Sequence, residues 1–160
     1  MATFDISSEF NKQEVTNAVD QCHREISNRY DFRDTKTSIS LMENSILLKS
    51  STLDRMLAAE QVLKEKFVKR SVSIKFLGDV KDETLPSEVK RTYNLKSGID
   101  QSTSKEIITL LKKSNKKIQC SYQNENIRVT SKKRDDLQEA ITLIKESDIE
   151  TPLNFGNFRD

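Results

Sequence analysis

Apolar residues recur at the spacing of amphipathic helices in four stretches of the chain. In each stretch they fall at steps of three and four residues, which places them on one face of a helix. Helices are predicted from about residue 11 to 30, over about 52–70, around 103–111 and from about 133 onward. The predicted buried positions are Val15, Ala18, Val19, Cys22, Ile26 and Tyr30 in the first helix, Leu53, Met56, Leu57, Leu63 and Phe67 in the second, Ile107, Ile108, Leu110 and Leu111 in the third, and Leu137, Ala140, Ile141 and Ile144 in the fourth.

Strands are predicted where apolar and polar residues alternate, because successive side chains of a strand point to opposite faces. Tight turns at Glu43-Asn44 and at Asn124 join two pairs of these strands into predicted hairpins. The predicted strands contain Phe4–Ile6, Ile39 with Leu41, Ile46–Leu48, Val72–Phe76, Tyr93 with Leu95, Ile118–Tyr122, Ile127–Val129 and Leu153–Phe158.

The predicted elements follow one order twice: strand, helix, strand, strand, helix, strand. The first pass ends at Gly78, and the second begins near Tyr93. Residues 78–89 contain Pro86 and show little apolar periodicity, so they are predicted to be a linker. A repeated βαββαβ order is typical of ferredoxin-like domains. The pattern therefore predicts an α+β chain that consists of a tandem repeat of two such domains.

Positive charge is concentrated in the second half, although the formal net charge is only +2. Residues 105–134 hold nine lysines or arginines and only two acids. A local excess of this kind favours a phosphate-bearing partner. The alternative is a solvated surface on a lysine-rich chain.

Few residues suit catalysis or metal binding. His23 is the one histidine, and it falls on the flank of the first predicted helix, beside its apolar face. Cys22 and Cys120 lie at predicted core positions, whereas a metal site needs three or four convergent ligands. The three glycines are isolated, so no phosphate-binding glycine loop is predicted. We therefore expect a binding protein rather than an enzyme, without catalytic residues, metal or cofactor.

The chain shows no pattern of membrane insertion or export. No apolar run approaches the roughly 20 residues that a membrane-spanning helix needs. The polar N-terminal ten residues do not resemble a signal peptide. A cytoplasmic protein without membrane contact is expected.

The outward-facing strand positions lack the aromatic residues on which RNA-recognition modules stack bases. These positions are Thr3, Asp5, Ser7, Leu47, Lys49, Asn94, Lys96, Arg128 and Thr130. RNA binding through the basic second half stays open as an alternative, and it would rest on salt-sensitive phosphate contacts.

Two short segments combine features of an anion site. Residues 29–34 hold two arginines, two aromatics and two acids, and an arginine beside an aromatic could hold a phosphate and a base together. Residues 130–134 open the last predicted helix, where free N–H groups and cations suit an anion. The alternatives are structural: ion-paired arginines at a helix end, and an ordinary helix start with surface cations.

Several segments match, in order, those of one known family. They are Phe4-Asp5-Ile6 with Ser8-Glu9, Tyr30-Asp31-Phe32-Arg33, Lys96-Ser97-Gly98-Ile99, Ile127-Arg128-Val129-Thr130, Lys133-Arg134-Asp135-Asp136-Leu137-Gln138 and Asn157-Phe158-Arg159-Asp160. The chain thus resembles the YajQ family of nucleotide-binding proteins from end to end. The resemblance implies exchanged first strands. Strand 1–10 would complete a domain of residues 98–160, and strand 90–97 would complete a domain of residues 11–77.

The resemblance also implies nucleotide binding without turnover, with cyclic diguanylate as the ligand of some relatives and transfer RNA suggested for others. Cations coincide with the family motifs at the predicted nucleotide-binding residues Arg33, Lys132, Lys133, Arg134 and Arg159. The expected partner is therefore a nucleotide or cyclic dinucleotide. RNA binding, and an adaptor role toward a protein that the sequence does not name, remain the alternatives.

Overall fold

The computed structural model describes residues 1–160, which group into two compact units. Residues 1–9 and 97–160 form unit 1, and residues 10–96 form unit 2. In chain order the elements are β1 (Ala2–Ser7), α1 (Lys12–Asn28), β2 (Ser38–Leu41), β3 (Ser45–Ser50), α2 (Leu53–Lys69), β4 (Val80–Leu85), β5 (Glu88–Asn94), α3 (Gln101–Ser114), β6 (Gln119–Gln123), β7 (Asn126–Ser131), α4 (Arg134–Lys145) and β8 (Asn154–Arg159). Short 3-10 helices occupy Tyr30–Phe32 and Ile74–Leu77.

Each unit contains one four-stranded antiparallel sheet and two helices. The strand order is β6-β7-β1-β8 in unit 1, with α3 and α4, and β2-β3-β5-β4 in unit 2, with α1 and α2. In unit 1, β1 pairs with β7 and β8. In unit 2, β5 holds the corresponding place between β3 and β4, although it follows both of them in sequence. This arrangement confirms the predicted tandem ferredoxin-like fold with exchanged first strands.

Alternating burial along the strands separates a helix-facing side of each sheet from an open side. In β1 the side chains of Phe4 and Ile6 are fully buried, while those of Thr3 and Asp5 lie on the open side. Two separate apolar cores result, one in each unit. Each fully buried large apolar side chain contributes about 1.5–3 kcal/mol to such a core, so the alternation selects the register of every central strand.

Polar side chains cap three of the four long helices at their N-termini. The side chain of Asn11 accepts a hydrogen bond from the backbone N–H of Glu14 at 3.1 Å, which confirms the predicted start of α1. The third helix, predicted around residues 103–111, was expected to begin too late. The Asp100 carboxylate caps that helix by accepting from the Thr103 N–H at 2.7 Å, because the helix begins earlier, at Gln101. None of the helices is long and apolar enough to cross a membrane.

The strand predicted at residues 72–76 is wrong. Val72 and Phe76 are buried, but Ile74 is exposed and starts a 3-10 helix, so the three residues do not share one face. The closing strand of unit 2 is β4 instead, within the segment 78–89 that was predicted as a linker. All residues of β4 are exposed. A charged edge strand of this kind carries no apolar alternation, because charge protects a sheet edge from further pairing.

Three predicted core residues are exposed. Tyr30 is 82% exposed because α1 ends at Asn28 and the backbone of Arg29 is extended. Leu53 and Leu57 are 52% and 40% exposed, since the first turns of α2 extend past the edge of the core that Met56 fills.

Candidate functional site

The segment that joins β7 to α4 carries adjacent lysines at the end of the sheet of unit 1. The buried Ser131 hydroxyl donates to the Asp136 carboxylate at 2.8 Å and accepts from the Lys133 backbone N–H at 3.4 Å. These bonds hold the backbone of the segment in place. Lys133 is the N-cap residue, and no side chain caps the helix there. The side chains of Lys132 and Lys133 are exposed and make no ion pair.

Two arginines reach the same end of the sheet. The Arg134 guanidinium forms an ion pair with the exposed Asp160 carboxylate, which raises the pKa of the arginine. Arg159 stands opposite Thr3 of β1, whose other neighbour, Thr130, lies two residues before Lys132. Four of the five predicted site residues are therefore brought to one end of unit 1. Three of them, Lys132, Lys133 and Arg159, have no carboxylate partner.

Polar side chains cover the open side of the sheet of unit 1 next to these cations. The Asp5 carboxylate accepts from the Arg128 guanidinium at 3.0 and 3.4 Å and from the Asn157 amide at 2.7 Å. The hydrogen bond from Arg128 does most to hold the pKa of Asp5 below its usual value, with help from Asn157 and the charge of Arg159 and against a smaller effect of burial. A cavity of about 190 Å³ is lined by Asp5, Ser121, Gln123, Asn124, Asn126 and Arg128.

Arg33, the fifth predicted residue, belongs to unit 2 and follows the 3-10 helix Tyr30–Phe32. Its guanidinium lies 5.8 Å from the centre of the exposed Tyr30 ring, and it makes no ion pair. The neighbouring Asp31 carboxylate binds Arg29 at 2.8 Å and Arg55 at 3.0 Å instead. The hypothesis of ion-paired arginines thus holds for Arg29, whereas Arg33 presents a free cation beside an aromatic ring.

Asp5 and Arg128 were not among the predicted site residues, although both were predicted at outward strand positions. The family resemblance implied that β1 joins this sheet, but the register that sets Asp5 opposite Arg128 is seen only in the structure. The hint that the sequence offered for this pair was that the outward positions of Asp5 and Arg128 carry opposite charges. Within the sheet of unit 1, Phe4, Tyr122 and Phe155 contact the core rather than the open side. The exposed Phe158 ring stacks on that of the buried Phe4, with 5.8 Å between the ring centres.

No group of three or more His, Cys, Asp and Glu side chains converges in the chain. His23 is exposed on α1. Cys22 is buried, and burial raises the pKa of its thiol to about 12. Burial also raises the pKa of the half-buried Cys120. A thiol whose pKa is raised carries little thiolate at neutral pH and is a poor nucleophile.

Comparison with known proteins places the chain in a family. The family model described as "Nucleotide-binding protein YajQ-like" matches residues 2–159. A protein of Hahella chejuensis named "Nucleotide-binding protein" is 42% identical over 164 residues, covering 100% of both chains. Proteins of the same name from Nitrosococcus oceani and Coxiella burnetii are 38% and 42% identical, again over 100% of both chains. The chain therefore belongs to the YajQ-like family of nucleotide-binding proteins.

Proposed function

We propose that this protein binds a nucleotide without turnover, and that the phosphates contact the cations at the β7–α4 end of unit 1. The observation that carries the proposal is the convergence of Lys132, Lys133 and Arg159, none of which is neutralised by a carboxylate. The backbone N–H groups of the first turn of α4 follow directly after Lys133, and a helix N-terminus favours an anion. The names of the relatives support nucleotide as the ligand class.

The open side of the same sheet is suited to the nucleobase. Arg159 lies on the row of Thr3 and Thr130, and Asp5 and Arg128 form the next open-side row. Two residues along an antiparallel strand span about 7 Å, a separation comparable with that between the phosphate and the base of one nucleotide. Donors and acceptors of Asp5, Arg128 and the cavity beside them would then contact the edge of the base. Hydrogen bonds rather than stacking would fix its orientation.

A cyclic dinucleotide is the ligand that we propose to test first. It carries two phosphates and two bases within a compact ring, so it could contact the lysines and the polar open side together. Cyclic diguanylate, GTP and ATP should be titrated by calorimetry at physiological salt. The GTP and ATP samples should then be assayed for hydrolysis products, since turnover of either nucleotide would contradict a pure binding role.

Two double variants distinguish binding at the proposed site from nonspecific attraction of the ligand by positive charge. Lys133→Ala with Arg159→Ala removes two of the unpaired cations, and each lost charge-assisted contact costs about 1.5–3 kcal/mol. An affinity loss of at least about tenfold is therefore expected. Lys105→Ala with Lys113→Ala removes the same charge from exposed positions of α3. Equal losses in both variants, or no loss in either, would show that the site is placed wrongly.

Arg33 is tested separately because it belongs to unit 2. We propose a separate nucleotide contact within unit 2, in which Arg33 binds a phosphate and the exposed Tyr30 ring offers a stacking surface. Arg33→Ala should weaken nucleotide binding, whereas Arg29→Ala removes an arginine that is already paired with Glu25 and Asp31 and should change affinity less. The reverse order of effects would remove Arg33 from the site.

RNA binding remains the second candidate function. It is favoured by four exposed lysines at the end of α3 and in the following turn, Lys112, Lys113, Lys116 and Lys117, which make no ion pair. Without aromatic stacking on the sheet, such binding would depend on phosphate contacts. The logarithm of affinity should then fall with the logarithm of salt, with a slope of roughly 0.7 per phosphate contacted. The Lys105 and Lys113 double variant would weaken it, and salt-insensitive binding would rule it out.

A further inference from the structure

An open cavity of unit 2 lies on its helical side, between α1 and the end of α2. Its volume is about 730 Å³. The lining residues are Glu14, Gln21, Arg24, Glu25, Asn28, Arg29, Lys66, Lys69, Arg70 and Ser71. Five of them are cations and two are carboxylates, so the groove is positively charged. No residue of this groove belongs to the proposed nucleotide site.

Of the two carboxylates of the groove, Glu25 is paired closely with cations, whereas Glu14 accepts from the Asn17 amide at 2.9 Å. Glu25 accepts from Lys66 at 2.9 Å and pairs with Arg29 at 3.1 Å. Glu14 stands 3.8 Å from Arg70, too far for a close hydrogen-bonded pair. Lys69 is exposed and has no ion pair. Positive charge of the groove is therefore left for an external partner, chiefly on Lys69 and Arg70.

An apolar depression adjoins the groove. Its volume is about 460 Å³, and it shares Lys66 and Lys69 with the charged groove. Two aliphatic side chains in its lining are exposed to an unusual degree, Val68 at 67% and Ile74 at 45%. Together the two depressions form a surface, called here the α2 groove, in which exposed aliphatic side chains stand directly beside cations.

We propose that the α2 groove binds an acidic segment of a partner protein that also carries an apolar side chain. Carboxylates of the segment would pair with Lys69 and Arg70, and its apolar side chain would cover Val68 and Ile74. Charge complementarity selects the acidic class. A nucleic acid fits less well, because no aromatic ring lines the groove for base stacking and Glu14 and Glu25 interrupt a path for a phosphate chain.

The test uses the intact protein, labelled with ¹⁵N, and two synthetic peptides. One is a short glutamate-rich peptide with two central leucines, and the other has serines in place of the leucines. Lys69→Glu and Val68→Ser alter the α2 groove at exposed positions, so neither is expected to disturb folding, which circular dichroism would verify. Lys81→Glu is the matched control. It makes the same charge change on exposed β4 of the same unit, on the open side of the sheet.

The leucine peptide should shift amide resonances of α1 and of the last turns of α2, and it should bind more tightly than the serine peptide. Lys69→Glu should weaken it about tenfold, since a contact becomes a repulsion, and Lys81→Glu should leave it unchanged. Binding of the serine peptide with equal affinity would reject the apolar contact. Equal effects of the two charge reversals, resonance shifts elsewhere, or a single-stranded RNA oligomer that binds at the groove in place of the peptide would overturn the proposal.

Discussion

Arg91 of β5 faces the helices of unit 2, because its cross-strand partner Leu48 is fully buried. Its guanidinium forms two hydrogen bonds with the Asp82 carboxylate, at 2.7 and 3.0 Å, and one with the Glu60 carboxylate at 2.7 Å. The buried Tyr93 hydroxyl also donates to Glu60. Arg91 therefore compensates a carboxylate of α2 that is only 14% exposed. Arg91→Met, which keeps the aliphatic volume, would leave Glu60 with the Tyr93 hydroxyl and with the Lys64 ammonium at 3.6 Å as its remaining partners.

The stability that Arg91→Met is expected to lose depends on how exposed its two carboxylate partners, Glu60 and Asp82, are. Breaking a fully buried ion pair by removing one side costs about 3–5 kcal/mol. Exposed pairs contribute no more than about 1 kcal/mol. Glu60 lies close to the buried case, whereas Asp82, at 51% exposed, lies close to the exposed one. We expect Arg91→Met to lower the free energy of unfolding by about 2–3 kcal/mol. For a chain of this length that corresponds to a fall in melting temperature of about 5–10 °C.

Urea unfolding followed by circular dichroism would measure this loss, and a double-mutant cycle with Glu60→Gln would assign it. The double variant should be more stable than the sum of the two single losses implies, because removal of both charges leaves no buried carboxylate unpaired. Arg24→Met is the control: its pair with Asp20 is exposed and should contribute less than about 0.5 kcal/mol. If Arg91→Met cost no more than the control, or if the cycle showed no coupling, the reasoning would be refuted.

Three further outcomes are expected. Gly98→Ala should lose about 1–2 kcal/mol of stability, because φ is +90° and the new Cβ would stand 1.7 Å from Glu125 Oε2 and 3.1 Å from Glu125 Cβ. Gly156→Ala meets nothing within 4 Å and should be close to neutral, so equal losses would contradict the steric argument. Cys22, whose pKa is about 12, should react with a thiol reagent at pH 8 only as the protein unfolds; fast labelling of the native protein at this residue would show otherwise. Hydrogen bonds from Lys66 and Arg29 lower the pKa of Glu25, so stability should be fully present above about pH 4.5 and should fall below it; a melting temperature that stays level down to pH 3 would contradict this.

The local elements of the fold could be predicted because each depends on neighbours in sequence. The alternation of Ile127 and Val129 with polar residues places the apolar side chains against a core in any sheet that accepts the strand. The helices follow in the same way from apolar residues at steps of three and four. The predictions of secondary structure failed where the burial of the side chains did not follow the apolar pattern of the sequence. Residues 72–76 alternate and yet form a 3-10 turn, whereas the charged residues of β4 form an edge strand.

The candidate site could be predicted from the sequence only in part, again because sequence patterns depend on neighbouring residues. The clusters around Arg33 and Lys133 are contiguous in sequence, so composition alone could indicate them. The pairing of Asp5 with Arg128 joins residues 123 positions apart. The neutralisation of Arg134 by Asp160, which separates it from the unpaired cations, is likewise a contact between distant segments.

The sequence by itself determined most element types, their repeated order, the polar open side of the sheets and most of the buried apolar residues. The repeated pattern did not show which strand completes which sheet, and the exchange was implied only by the family resemblance. The tertiary structure fixed the register of the strands, and therefore which charges meet across β1, β7 and β8. Helical and strand periodicities are properties of a short segment, so most of them are visible without knowledge of the rest of the chain. An ion pair depends on distances of a few ångströms between segments whose separation in the sequence sets no limit on their separation in space, so it is fixed only when the sheets form.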